Sequence, residues 1–215
     1  MTFLSKQSIR DLLYTLIEPT LGRDEVDNGA LQPSSIELRL GNEVYLSGEK
    51  NLVLLGADKK EVAIKPGELA ILLTEEKVNI PRTLMGFISI RNRYKSMGLI
   101  NISGFHVDPG FKGKLTFSVY NAGPNDIILR HGERLFLLFL AKLDRETEIK
   151  EPGMHDKQEH ILSDSMNMLT GKPVSPLSLD ARLEKLEARV QLLWGLLAAV
   201  AVGIVIALIK VFFGK

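Results

Sequence analysis

The chain has 215 residues, room for one ordinary globular domain and an appendage, and its content of 45% hydrophobic and 25% charged residues fits a folded protein. A net charge of +1 argues against a nucleic-acid binder, because neutralising several phosphates leaves a visible basic excess. The absence of cysteine excludes disulfide frameworks, thiolate nucleophiles and Cys-ligated zinc, and with them the zinc-dependent kind of nucleobase deaminase.

The amino-terminal stretch MTFLSKQSIRDLLYTLIEPT lacks the basic region, long apolar core and small-residue cleavage site of a secretory signal, so the globular part is expected in the cytoplasm. Ile9, Leu12, Leu13 and Leu16 lie at helical spacing behind Ser5 and Ser8, which predicts a short amphipathic helix capped by one of these serines and ended by Pro19 and Gly22. Residues 23–30 read as a polar loop. From Gln32 the period changes to two, with Ile36, Leu38 and Leu40 on one face and Gly41-Asn42 expected to turn the chain into Val44 and Leu46.

Further strands are expected at 51–55, 61–64, 68–73, 84–90, 114–120, 127–129 and 135–143, divided by Gly, Pro, Asn and Asp in turn chemistry. This spacing predicts an all-β sandwich or jelly roll over residues 1–146. Residues 147–178 lose both periodicities and read as a linker. Leu179, Leu183, Leu186, Val190 and Leu193 then follow at heptad spacing, the pattern of either a self-associating coiled-coil stalk over 179–191 or an ordinary amphipathic surface helix.

From Leu192 to Ile209 no charge interrupts the apolar run, Trp194 stands at its near edge, and Lys210, Phe212 and Phe213 stand at its far edge. About 20 such residues cross a bilayer core, so 192–213 is expected to be a single transmembrane helix. Basic residues on both flanks leave the positive-inside signal slight. The missing secretory signal decides the orientation: a tail anchor with the globular domain in the cytoplasm.

Four stretches resemble the dCTP deaminase and dUTPase superfamily. QPSSIELRLGNEVYL is similar to the early strand motif of the deaminase branch, in which an Asp commonly stands where this chain has Glu37. PGELAILLTEEKVNIPRTLMGFISIRNRYKSMGL lies without a gap on the stretch that leads into an Arg-Ser-Ser turn and Arg-x-Gly-Leu. HVDPGFKGKLTFSVYNAGP resembles the hairpin whose backbone reads the pyrimidine edge, and HGERLFLLFLAKLD stands in the place of the closing Gly-x-x-Ile-x-Gln strand. The resemblance covers Leu4 to Asp144. It implies a distorted, dUTPase-like jelly roll assembled as a homotrimer with sites between subunits, a geometry that a coiled-coil stalk along one axis would suit.

The departures bear on chemistry. The family's metal-free deamination uses a Glu where this chain has Ser118, and a serine hydroxyl without an activator is no general base near neutral pH. The Ser-Ser pair corresponds to Asn92 and Arg93, the following Arg to Ser96, and the closing Gln to Leu137. A guanidinium clamp is therefore lost, although Arg91, Arg93 and Lys95 keep the charge. By the resemblance, Asp108 orients water or the sugar 3′-hydroxyl and is the candidate catalytic residue. Its other reading is an Asp-Pro-Gly turn held by side-chain-to-backbone bonding. Phe111 stacks on a deoxyribose or packs in the core, and Asn121 touches ligand or ties the hairpin end. His106 alone of the histidines sits near this site; His131, His155 and His160 show no ligand spacing, and no metal site is expected.

The candidate ligand residues are thus Arg91, Asn92, Arg93, Ser96, His106, Phe111, Ser118 and Asn121, with no certain cofactor and Mg²⁺ only alongside a nucleotide triphosphate. The expected function is a membrane-anchored trimeric head that binds or senses a pyrimidine deoxynucleotide without deaminase activity. The alternatives are a dUTPase or related nucleotide pyrophosphatase using Asp108, and a trimeric protein-interaction scaffold. Self, membrane and nucleotide are the expected partners, and nucleic acid is not.

Overall fold

Ser5 Oγ accepts the backbone N–H of Ser8 at 3.4 Å and opens helix α1, Lys6–Leu16, whose Ile9, Leu13 and Leu16 are buried. A computed structural model of the chain describes residues 2–18, 21–48, 51–148, 158–168 and 176–213. Short strands β1 (Thr2–Phe3) and β2 (Ile17–Glu18) flank α1 and pair it to the sheet. Residues expected as a loop form a helical turn α2 (Arg23–Glu25) that continues into a π-turn, Val26–Ala30.

The sheet then builds from β3 (Ser35–Leu46), β4 (Asn51–Leu54), β5 (Glu61–Ile64), β6 (Leu69–Asn79) and β7 (Leu84–Ile90). A one-turn helix α3 (Asn92–Ser96) leads to β8 (Leu99–Asn101), β9 (His106–Val107), β10 (Lys112–Asn121), β11 (Ile127–Arg130) and β12 (Arg134–Lys142). The path β8-β10-β6-β3-β12-β7-β9 is antiparallel throughout, with β1 on β12, β2 on β6 and β4 on β3, while β5 and β11 pair separately. The expectation of a mostly β, curled antiparallel fold holds.

One expectation fails at Gly41-Asn42. There is no turn there: β3 runs unbroken for 12 residues and changes partners midway, its first half pairing with β12 and its second with β6 and β4. The period of two is the same on both sides of a turn and of such a corner, so the pattern alone does not separate them. Gly41 serves the corner by letting another backbone approach, since a Cβ there would lie 2.7 Å from the Thr74 carbonyl oxygen. The register of β3 against β6 shifts between Leu40 and Val44, as expected where a strand bends between layers.

The bend frees the backbone N–H of Arg39, and Glu76 Oε2 accepts it at 2.8 Å. Glu76 Oε1 accepts Arg39 Nε at 2.6 Å, and a second guanidinium nitrogen of Arg39 reaches Glu25 at 2.9 Å. Burial pushes the Glu76 carboxyl above its ordinary value, opposed by the hydrogen bonds from Arg39. Between the folded halves of the sheet, Phe117 of β10 stacks on Phe136 of β12 with ring centroids 4.1 Å apart, both fully buried.

The stretch expected as a linker is partly a built element. Gln158 bridges to Gly113, Ile161 is buried, and α4 (Ser163–Met168) follows. No periodicity announces this segment because its contacts are made largely by backbone and by single side chains. The chain divides into Met1–Pro173 and Val174–Lys215. The second unit holds α5, Pro176–Phe213, a 38-residue helix. Its stretch Arg182–Val211 is long and apolar enough to cross a membrane, and every side chain along it is exposed.

Removing Arg39 strands a buried carboxylate. Arg39→Met is expected to cost about 3–5 kcal/mol at neutral pH in denaturant unfolding of the full chain. A carboxyl whose folded value is raised is favourable to folding while protonated and loses that contribution as pH rises through the raised value. The loss should therefore shrink as pH falls below the ordinary carboxylate value of 4.5. An equal loss at neutral pH and at about pH 4 would contradict a buried, charge-dependent role.

Candidate functional site

The residues singled out from the sequence fall into two groups, at the two ends of β10. At its start, Asp108-Pro109-Gly110-Phe111 forms a tight turn in which the Phe111 N–H donates to the Asp108 carbonyl at 3.2 Å. Gly110 takes a φ of 85°, a left-handed conformation that makes glycine the favoured residue. The turn is clamped to the end of β6: Gly110 N–H donates to the Ile80 carbonyl at 2.7 Å, and Ile80 N–H to that of Phe111 at 2.9 Å. Phe111 is half-buried and packs against the main core.

The Asp108 carboxylate is not used by its own turn. It is 79% exposed, and His106 Nε2 lies 3.6 Å from it. His106 stands opposite Phe87 on β7, with the Phe105 ring 5.0 Å from its own and stacked in turn on Phe87 at 6.2 Å. An open carboxylate beside an imidazole and an aromatic face is suited to orienting a hydroxyl or a water molecule.

The second group surrounds the far end of β10. Arg91 leaves β7 and is drawn onto Glu37, Nε to Oε1 at 3.1 Å, with another of its nitrogens donating to the Arg134 carbonyl at 3.2 Å. Glu37 is buried and Arg91 only partly so, so part of this guanidinium's capacity is already committed. Asn92, Arg93 and Ser96 on α3 are exposed, as is Lys95, whose Nζ donates to Ser89 Oγ at 2.7 Å. Tyr94 between them is buried. Burial and the nearby Glu133 carboxylate push its phenol above the ordinary tyrosine value, which keeps it a donor.

After α3 the chain is seated on the end of β10 by a pair of glycines. The Ala122 N–H donates to the Gly98 carbonyl at 2.9 Å, and a Cβ at Gly123 would lie 2.2 Å from the Met97 carbonyl oxygen. Gly98 has a φ of 100°, and a Cβ there would meet the Gly123 nitrogen at 2.4 Å. Asn121 is wholly buried. Its Nδ2 donates to the carbonyls of Ile64 and Asn125 at 2.8 and 2.9 Å, and its Oδ1 accepts the Gly123 N–H at 2.9 Å. That is the hairpin-tying geometry.

Ser118 lies half-exposed on β10 between these groups, opposite Ile71. Its carbonyl accepts the N–H groups of Ile102 and Ser103, at 2.8 and 3.3 Å. No acid or imidazole among the described residues hydrogen-bonds its hydroxyl. His131 reaches Glu75 and His160 reaches Glu43, both away from this site, while His155 lies outside the described residues. No group of three or more His, Asp or Glu able to hold a metal forms among the described residues. Sequence reasoning missed the Glu37–Arg91 and Tyr94–Glu133 contacts, whose partners are far apart in the chain and leave no local pattern.

The sequence profile described as dCTP deaminase-like matches residues 3–143. The dCTP deaminase of Pyrococcus abyssi is 34% identical over 134 residues, covering 62% of this chain and 84% of that protein. The dCTP deaminase of Pyrobaculum aerophilum is 33% identical over 173 residues, covering 74% and 93%. Among solved structures, the 2′-deoxycytidine 5′-triphosphate deaminase of Agrobacterium tumefaciens superposes with a TM-score of 0.51 at 20% identity, over 65% of this chain. The match spans 47% of that deaminase, about half its length, and is a likeness of fold. The match over residues 3–143 takes in well over half of the chain, which therefore belongs to the dCTP deaminase-like family.

Proposed function

We propose that this protein is a membrane-anchored homotrimer whose jelly-roll head binds a pyrimidine deoxynucleotide without deaminating it. The observation that carries the reading is Ser118. It stands at the family's Glu position on β10, and its hydroxyl has no basic partner among the described residues to take its proton. Proton shuttling at the base is thereby lost, while the backbone that would read the base edge is kept.

Arg93, Asn92 and Ser96 face the phosphates in this reading, with Arg91 fixed by Glu37 as a charge behind them. Arg91 then contributes as a positioned charge more than as a free bidentate clamp. Asp108 and His106 address the sugar, Phe111 backs it, and Asn121 holds the hairpin in place. A Mg²⁺ ion would arrive on the phosphates of a triphosphate, and no step is assigned to it. The exposed seam Leu179, Leu183, Leu186, Val190 and Leu193 supports a three-stranded stalk, and the apolar run after it a tail anchor with the head in the cytoplasm.

The exposure of Asp108 favours a second reading, in which it activates water for pyrophosphate release from dUTP. Calorimetry on the detergent-solubilised full chain with dCTP, dUTP and their monophosphates is expected to show binding of at least one of them and no uracil product from dCTP. Arg93→Ala should weaken that binding about tenfold, equivalent to one charge-assisted contact. Absence of binding at millimolar nucleotide would overturn the reading in favour of a scaffold. Pyrophosphate release from dUTP, abolished by Asp108→Asn, would establish the second.

The anchor has its own test. The full chain should stay with the membrane pellet after alkaline carbonate washing, and a chain ending at residue 178 should be released. A full chain that washes off would refute the anchor.

A further inference from the structure

Residues 158–168 are fastened to the head at several points in succession. The Gln158 carbonyl accepts the Lys114 N–H at 2.7 Å beside a parallel bridge to Gly113. Glu159 pairs with Lys77 at 2.8 Å. The buried carboxylate of Glu43 then takes His160 Nδ1 on one oxygen, at 2.5 Å, and the Ile161 N–H on the other, at 2.8 Å. Ile161 closes a small cluster with Tyr45, Ile71 and Leu73, and Met166 of α4 packs at its edge. These side chains alternate with those of the main core, so the cluster lies on the opposite face of β3 and β6.

The closure is incomplete. The Tyr45 hydroxyl is buried beneath this cover without a hydrogen-bond partner among the described residues. Burying such a group unpaired opposes docking, and the penalty is relieved when water reaches the ring. The Glu43 carboxylate works in the other direction, since it is satisfied by the donors that the segment brings. The segment is thus fastened at these several points and opposed at one, the stranded Tyr45 hydroxyl, which is the group that gains when the segment lifts.

Its seat is the strand that leaves the Asp108–Phe111 turn. Gly113 has a φ of 154°, and a Cβ there would lie 2.7 Å from the Gln158 nitrogen, so the segment rests directly on this backbone. Gly113 is in turn set by the clamp of Gly110 and Phe111 on Ile80 and by the pairing of Lys112 with Asn79. We propose that residues 158–168 are a reversible strap whose docking is coupled to the Asp108–Phe111 turn. The nucleotide as the natural trigger rests on the function proposed above; the coupling of strap to turn does not.

Hydrogen exchange on the detergent-solubilised full chain tests this, read on peptides covering 158–168, with β12 as an internal reference. Glu43→Ala should raise strap exchange at least tenfold with β12 unchanged. His160→Ala, at a largely exposed ring, should raise it several-fold, and it decides the matter if the first variant fails to fold. Gly110→Ala strains the turn through its positive φ and should loosen the strap as well.

Strap exchange equal to wild type in His160→Ala would overturn the clasp. Faster exchange at the turn in Gly110→Ala with an unchanged strap would overturn the coupling, and so would a nucleotide that binds in calorimetry yet leaves strap exchange unaltered. If no nucleotide binds, the proposed trigger falls, and the Gly110→Ala comparison still decides the coupling.

Discussion

The architecture depends on how β3 turns the corner between the two halves of the sheet. A strand that changes partners must leave backbone groups unpaired at the bend, and buried unpaired groups are costly. Here the Arg39 N–H is taken by Glu76, the Leu40 N–H by the Glu133 carbonyl, and the Leu40 carbonyl by the Gly132 N–H. The side chain of Arg39 then returns to the carboxylate that holds its own backbone. Two ion pairs of Arg39 thus complete the corner: the one with Glu76 joins β3 to β6, and the one with Glu25 anchors the segment before β3. Phe117 and Phe136 can stack across the interior only because this bend brings β10 over β12.

Much of the fold was legible because it is written in local chemistry. Alternation marks the strands, and the Ser5 cap and its apolar stripe mark α1. The corner at Gly41 was not legible, since a hairpin turn and a close backbone approach both call for glycine, and what separates them is Thr74, more than thirty residues away. The strap was illegible for a related reason. Its principal anchors are backbone groups and Glu43, a residue whose place in an alternating strand carries no sign that its carboxylate will be covered.

The candidate site shows the same division. The Asp108-Pro109-Gly110 turn could be read from its residues, because each satisfies a local dihedral or hydrogen-bonding demand. The commitment of Arg91 to Glu37 could not be read, and it changes what the turn after β7 offers: the exposed Asn92, Arg93, Lys95 and Ser96, and one guanidinium already committed to Glu37. Asn121 differs again. The sequence left it between ligand contact and hairpin support, and its side chain makes three hydrogen bonds to the backbone around the hairpin end.

The glycine pair Gly98 and Gly123 has a consequence for how such a protein can change over time. Because the path of the chain after α3 is fixed by two backbones in contact, it does not depend on the side chains that α3 displays. Asn92, Arg93 and Ser96 project outward from a course already determined, so replacing them alters what the surface can grip while costing the fold little. A head built this way can shed or acquire a chemistry by single substitutions, each passing through a folded intermediate. Loss of either glycine, by contrast, would close that route at once.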